Sequence, residues 1–251
     1  MKLKHLVRSL VLLLFIASCA PKKKLVYFQG VDALEEVENT NYSPKIKPDD
    51  QLSIAVNSLD PSAAIPFNNF QPTLGVNAAN VDLLPYLVAK DGTIDFPQLG
   101  SLKVAGLTRL ELMELLKQRL EPFLVQPTVN IQILNFTVTI LGEVKAPGAY
   151  KIDKERISIL DAVGLAGDLT VHGMRNNVLV IREHQEEKEF VRVDLTAANL
   201  FESPMYYLQQ NDVVYVEPNK PKVNSSATSA ATGVWISITS LTIAIITLIT
   251  K

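Results

Sequence analysis

The stretch from Lys90 to Leu120 constrains the fold more than any other part of the chain, because turn, strand and helix signals follow one another in it. Asp91 and Gly92 form a tight-turn pair. Apolar and polar residues alternate over 93–96, which predicts a short strand, and a second apolar run follows over 102–104. The stretch therefore predicts two short strands joined by a break, and then a helix.

The helix is predicted to begin at Thr108. Glu111 lies three residues further on, which is the spacing of a capping box. Apolar residues recur at helical intervals after the cap and predict one buried face. That predicted face comprises Leu110, Met113, Leu116 and Leu120.

Two alternating segments flank this stretch. Residues 42–57 predict a strand, a turn at Pro48-Asp49-Asp50 and a second strand whose alternate apolar residues are buried. Residues 58–87 show no period and predict an insertion at a loop. Alternation over 129–133 predicts a further half-buried strand. The segment ends at Asn135, so we place a domain boundary near Asn135 and Phe136.

The following region predicts a second α+β unit. A hairpin is expected over 141–152, with Pro147 and Gly148 at the centre of a type II turn. A short helix capped by Ser158 follows and ends near Gly167. A second hairpin is predicted over 178–182 and 190–194. Residues 208–216 complete the unit, with a turn at Asn211 and Asp212 before the last strand. Hairpin, helix, hairpin and strand is the order of a β-grasp fold.

The sequence contains none of the common catalytic or phosphate-binding motifs. Asp91 and Asp95 are close enough in sequence to suggest paired carboxylates, but a turn and an exposed strand face explain them better. His172 and His184 have no second ligand nearby, so we predict no metal site and no cofactor. A formal net charge of -2 gives no indication of nucleic-acid binding.

The first residues have the features of a targeting segment. Basic residues precede an apolar run that is too short to span a bilayer. The residues before Cys19 resemble a bacterial lipoprotein cleavage box, which predicts a signal peptide over 1–18 and lipidation of Cys19. An ordinary secretory signal with an incidental cysteine is the alternative. Residues 19–41 are expected to form a tether and an irregular arm.

The last residues predict a second membrane attachment. Residues 219–232 are small and polar and predict a flexible linker. Residues 233–250 contain no charge and predict a transmembrane helix, with Trp235 at the membrane interface. Small residues fall on one face of this helix, as packing between membrane helices or the lining of a pore requires. They are Ser237, Ser240, Ala244 and Thr247.

Several short motifs follow one another along the two predicted domains. Their residues are Asp91, Gly92, Pro97, Gly100, Gly106, Gly142, Glu143, Pro147 and Gly148. In this order, the motifs resemble those of the outer-membrane polysaccharide export family. The resemblance implies an α+β chain with a polysaccharide-export domain over 42–135. A soluble-ligand-binding β-grasp (SLBB) domain over 136–218 would follow, and then the C-terminal transmembrane helix. Asp49 stands where the family has a glycine in its first turn.

The resemblance also implies a function. Members are lipid-anchored subunits of homo-oligomeric rings whose C-terminal helices form a pore across the outer membrane. Capsular polysaccharide or exopolysaccharide passes through the lumen, and an inner-membrane polysaccharide co-polymerase docks below. Such a subunit lies mostly in the periplasm, contacts outer-membrane lipid and is not an enzyme. The alternative is a monomeric periplasmic saccharide-binding lipoprotein whose C-terminal helix is a second anchor.

Overall fold

Two hydrophobic cores organise the chain. The computed structural model describes residues 25–33, 42–70, 83–184, 187–227 and 230–249. One core is built from buried side chains between Ile46 and Ile131, and the other from those between Phe136 and Val216. Ile133 is half-buried and packs against both. Both units mix helices and strands, as predicted.

The first domain is built on a small antiparallel sheet and a hairpin. Its elements are β1 (Gln51–Asn57), α1 (Pro61–Ala64), β2 (Tyr86–Leu87), β3 (Thr93–Phe96), β4 (Gly100–Lys103), α2 (Arg109–Leu120) and β5 (Thr128–Ile133). The sheet has the order β2-β1-β5, with Ile54 opposite Ile131. The two strands β3 and β4 form a separate hairpin.

Helix α2 begins as its cap predicts, and its buried face is partly as predicted: Leu116 and Leu120 are buried, but Leu110 is not. Thr108 Oγ1 accepts a hydrogen bond from the Glu111 N–H, and the Glu111 carboxylate accepts one from the Thr108 N–H, which completes the capping box. The buried residues are Leu112, Leu116 and Leu120. Leu110 is exposed, so its predicted place in the core is wrong: the four-residue ridge from Leu112 faces the sheet, and Leu110 lies a half-turn away from it.

Two other predictions for this domain need correction. The strand expected before Pro48 is only an isolated bridge between Lys45 and Thr108. The region predicted as an insertion at a loop, 58–87, also contributes α1 and β2. Asp60 starts α1 by accepting a hydrogen bond from the Ser62 N–H, a local signal that a search for periodicity does not detect.

The second domain is built on one mixed sheet. Its elements are β6 (Thr137–Gly142), β7 (Gly148–Lys151), β8 (Ile157–Ser158), α3 (Ile159–Leu165), β9 (Gly173–His184), β10 (Glu187–Val193), β11 (Tyr207–Leu208) and β12 (Val213–Pro218). The sheet has five strands in the order β10-β9-β12-β6-β7, and β12 runs parallel to β6. Helix α3 has a second capping box, between Ser158 and Asp161. The predicted order of hairpin, helix, hairpin and strand is present.

The turn of the first hairpin lies elsewhere than predicted. A type II turn over Pro147 and Gly148 would give Gly148 a positive φ, but Gly148 belongs to β7 and pairs with Ile140. The left-handed residue is Gly142, with φ of 90°. The chain bends there because Val144 leaves the hairpin to form a bridge with Leu169.

Two helices follow the second domain, α4 (Lys220–Ala227) and α5 (Ala230–Ile249). The flexible linker predicted over 219–232 is therefore wrong for Lys220–Ala227. Asn219 accepts a hydrogen bond from the Lys222 N–H, and Pro221 lies in the first turn, where proline is tolerated. Within the described ranges, no helix is both long and apolar enough to cross a membrane. The transmembrane segment over 233–250 stays a prediction.

Candidate functional site

The two carboxylates considered for catalysis, Asp91 and Asp95, have surroundings that indicate a structural role. The Asp91 carboxylate accepts hydrogen bonds from Thr93, at 2.7 Å from the hydroxyl and 3.0 Å from the N–H. These bonds lower the pKa of Asp91, which is the opposite of what a general acid requires. Asp95 lies on the exposed face of β3, opposite Ser101. Across the described residues, no group of three His, Cys, Asp or Glu side chains is arranged to hold a metal ion.

The motif residues of the first domain shape turns. Gly92, Gly100 and Gly106 have positive φ, and Pro97 begins the turn between β3 and β4. Gly92 also accepts hydrogen bonds through its carbonyl from the N–H groups of Val104 and Ala105. These residues are not gathered around a cavity, and their contacts support an architectural role.

Among the motif residues, Glu143 contacts several elements of the second domain and also helix α4. Its N–H donates to the Val216 carbonyl at 3.0 Å, and its carbonyl accepts from the Thr170 N–H at 2.9 Å. Its carboxylate accepts a hydrogen bond from the Thr170 hydroxyl and lies 3.9 Å from Lys222 Nζ. Glu143 thus joins β6, β12 and the loop before β9 to helix α4. Pro147 is exposed in the loop that precedes β7.

The predicted membrane residues lie on helix α5, apart from Cys19, which is outside the described residues. The apolar side chains described on α5 are exposed, Trp235 among them. Three hydroxyls of the small-residue face donate to carbonyls of the preceding turn: Ser237 to Gly233, Ser240 to Ser237, and Thr247 to Ile243. Each of these donors is therefore satisfied within the helix, so the face can pack against apolar surroundings. Ala244 is also exposed on this helix.

The two domains are joined by hydrogen bonds centred on Asn135. Its side chain accepts from the Gln51 N–H at 2.8 Å and donates to the Asp49 carbonyl at 2.9 Å, both in the first domain. Its backbone carbonyl accepts from the Gln210 amide at 2.6 Å, in the second. The Gln210 side chain also accepts from the Thr137 N–H. These contacts leave the domains little freedom to hinge at the junction.

A cluster of aromatic rings lies at the same junction. Tyr42 of the first domain stacks on Tyr207 of the second, with ring centroids 5.1 Å apart and planes 9° apart. Tyr206 meets Tyr207 edge to face at 4.9 Å. Tyr206 and Tyr207 are both half-buried. The Tyr42 contact spans 165 positions of sequence, so no local pattern could have revealed it.

A buried ion pair holds the backbone next to this aromatic cluster. Arg182 and Asp212 are 4% and 0% exposed, and Arg182 Nη2 lies 2.7 Å from Asp212 Oδ2. Arg182 Nη2 also donates to the Tyr207 carbonyl at 3.0 Å, and Asp212 accepts from the Gln209 N–H at 2.7 Å. The pair thereby fixes the segment that carries Tyr207. The sequence predicts a turn at Asn211 and Asp212, and no local pattern relates Asp212 to Arg182, 30 positions away.

Asp50 is buried at the edge of a cavity of about 450 Å³ at the domain junction. One carboxylate oxygen accepts from the Lys47 N–H at 2.8 Å, and the other has no hydrogen-bond partner among the described residues. Burial raises the pKa of Asp50 from 3.8 to about 6. The folded chain therefore holds this proton more tightly than the unfolded chain does.

We expect Asp50 to make stability fall as the pH rises from about 4 to about 6, since protons then leave the unfolded chain first. Replacing Asp50 with Asn should remove this loss. Relative to the parent chain, Asp50→Asn should gain about 2–3 kcal/mol of unfolding free energy between pH 4 and pH 7. Denaturant titrations at several pH values measure this difference. Unfolding free energies that change with pH in the same way for both chains would contradict the effect assigned to the buried Asp50 carboxylate.

Family comparisons agree with the two-domain organisation. Residues 38–134 match the model described as polysaccharide biosynthesis/export protein, and residues 137–216 match the SLBB domain. The two matches follow each other along the chain and together cover most of it.

The individual relatives have low sequence identity to the chain. The chain is 28% identical over 139 residues to an EPS I polysaccharide export outer membrane protein of Ralstonia solanacearum, covering 54% of this chain and 36% of that protein. It is 26% identical over 122 residues to a capsule polysaccharide export outer membrane protein of Neisseria meningitidis, covering 47% and 31%. The aligned part thus spans about a third of the length of these curated relatives.

Proposed function

This chain belongs to the polysaccharide biosynthesis/export family, and on that basis we propose that it is a subunit of an oligomeric outer-membrane translocon. The translocon exports capsular polysaccharide or exopolysaccharide from the periplasm to the cell surface. The observation that carries the proposal is the succession of an export domain, an SLBB domain and helix α5, on which the described apolar side chains are exposed. Such a surface is unusual unless lipid or another subunit covers it.

The positions of the two ends of the chain indicate which domain lies nearer the membrane. The segment Leu25–Ala33 lies against the second domain: the Tyr27 hydroxyl donates to Asp168, and the Gln29 N–H donates to the Thr196 carbonyl at 2.6 Å. Helix α4 leaves the same domain directly after β12. Five residues lie between Cys19 and Leu25, so the chain makes six Cα–Cα steps and reaches about 20 Å when extended. We therefore place the second domain beside the membrane and the first domain further into the periplasm.

The role we propose is transport without catalysis. A lipid on Cys19 anchors each subunit to outer-membrane lipid, and α5 spans that membrane with its small-residue face against a neighbouring helix or the pore. At 1.5 Å per residue, the 20 residues of α5 extend about 30 Å. The ring surrounds the polysaccharide, and an inner-membrane polysaccharide co-polymerase is the expected partner below it.

Topology and oligomeric state test the proposal together. An epitope placed after Lys251 should be labelled on intact cells, because α5 would carry it across the outer membrane. The same epitope in the turn between β3 and β4 is the control and should be labelled only after permeabilisation. Native mass measurement in mild detergent should give an integral multiple of the subunit mass, as a closed ring requires. A monomer whose C-terminal epitope is hidden on intact cells would instead support a periplasmic saccharide-binding lipoprotein.

A further inference from the structure

We propose that the cleft between the two domains is a binding subsite for a sugar residue that carries a carboxylate. This inference rests on the proposed function, which supplies a polysaccharide as the ligand, and adds the chemical class of that polysaccharide. The cleft has a volume of about 860 Å³, within the usual range of ligand sites. The first domain contributes Tyr42 and Arg109 to its walls, and the second contributes Arg156, Tyr206 and Tyr207.

Among the described residues, the charges of the cleft leave one cation without an anionic partner. Arg109 and Glu155 form a bidentate pair, with N–O distances of 3.1 and 3.2 Å. Lys154 lies 4.0 Å from Asp161. Hydrogen bonds from Ser158 lower the pKa of Asp161, so this carboxylate stays ionised beside Lys154. The pairs therefore neutralise two of the three cations.

Arg156 is the third cation. Its guanidinium lies 5.2 Å from the centroid of the Tyr207 ring, a cation–π contact. Among the residues that the structure describes, no carboxylate lies within ion-pair distance of Arg156. A guanidinium offers several donors in one plane, which match the two oxygens of a carboxylate. An acidic group entering the cleft would therefore meet an available partner.

The aromatic rings supply the other half of a saccharide site. Tyr206, Tyr207 and Tyr42 form a continuous half-buried wall beside Arg156. The electron-rich face of such a ring can pack against the C–H groups of a sugar, and its hydroxyl can form hydrogen bonds with the sugar hydroxyls. The Tyr42–Tyr207 stack crosses the junction, so this wall exists only when the two domains are packed together.

Isothermal titration calorimetry of the full chain in mild detergent at pH 7 tests the inference. The probes are tetragalacturonate and its fully methyl-esterified, neutral form, which share their rings and differ in charge. We expect the acidic tetramer to bind about 10-fold or more tightly than the ester, as a charge-assisted hydrogen bond predicts. Arg156→Gln should reduce the affinity for the acid to that for the ester, whereas Arg156→Lys should retain part of the preference.

Arg119→Gln is the matched control, because it removes one exposed arginine from the end of α2, outside the cleft lining. It should leave both affinities unchanged. Equal affinities for acid and ester, no binding of the acid, or an equal effect of Arg119→Gln would overturn the inference. Export is scored separately as polysaccharide on the cell surface. A chain that exports but does not prefer the acid refutes the subsite alone, whereas a chain that is dispensable for export refutes the proposed function.

Discussion

Replacing Asp212 with Asn should lower the free energy of unfolding by about 3–5 kcal/mol, because it leaves the guanidinium of Arg182 buried without a counter-ion. Asn keeps the shape of the side chain and an oxygen that can accept from the Gln209 N–H. The expected loss therefore reports the missing charge rather than a cavity. Guanidinium denaturation of the full chain in mild detergent, followed by circular dichroism, measures it.

The exposed pair of Arg192 and Glu217 provides the control. Arg192 Nη1 lies 2.9 Å from Glu217 Oε1, close to the distance in the buried pair, but the Arg192 side chain is 53% exposed. Replacing Arg192 with Gln should cost less than about 1 kcal/mol, because water solvates and screens the remaining charge. Similar losses for the two variants would show that burial of the Arg182–Asp212 pair does not determine its contribution.

Replacing Gly142 with Ala should lower the free energy of unfolding by about 3 kcal/mol or more, through two independent effects. The φ of Gly142 is 90°, which disfavours any residue with a Cβ. A Cβ at this position would also overlap the carbonyl oxygen of Val216 on the neighbouring strand. This carbonyl accepts a hydrogen bond from the Glu143 N–H, so moving it would disturb the junction of β6 and β12.

Gly148 is the matched control, since it belongs to the same hairpin and the same family motif. Its φ is not positive, and an added Cβ would meet no atom within 4 Å. Gly148→Ala should be neutral or stabilise the fold by up to about 1 kcal/mol, because it restricts the unfolded chain. Thermal unfolding of both variants distinguishes the two glycines; equal destabilisation would contradict the turn at Gly142.

Local signals predicted local structure well. The capping boxes at Thr108 and Ser158 lie within four residues each, so the start of both helices could be found from sequence. The buried face of α2 was harder to predict, because Leu110 and Leu112 are both apolar and only the position of the sheet distinguishes them. The helix over Lys220–Ala227 begins at the cap on Asn219, which the small, polar composition of this segment does not indicate.

The candidate site depends on contacts that sequence periodicity does not contain. Tyr42 stacks on Tyr207 across the domain junction, and Arg182 reaches Asp212 across 30 positions of sequence. Single-sequence patterns give the spacing of neighbours along one element, not the pairing of distant ones. Arg156 was likewise indistinguishable from any other surface cation until the fold placed it over Tyr207.

The location of polysaccharide in cells with and without this chain tests the central claim most directly. In a strain that lacks the chain, surface polysaccharide should be lost and polymer should be retained in the periplasm, and the intact chain should restore export. A chain that lacks residues 233–250 should fail to restore export, even if its two folded domains accumulate to normal levels. Normal surface polysaccharide in the strain without the chain would contradict a role as the export subunit.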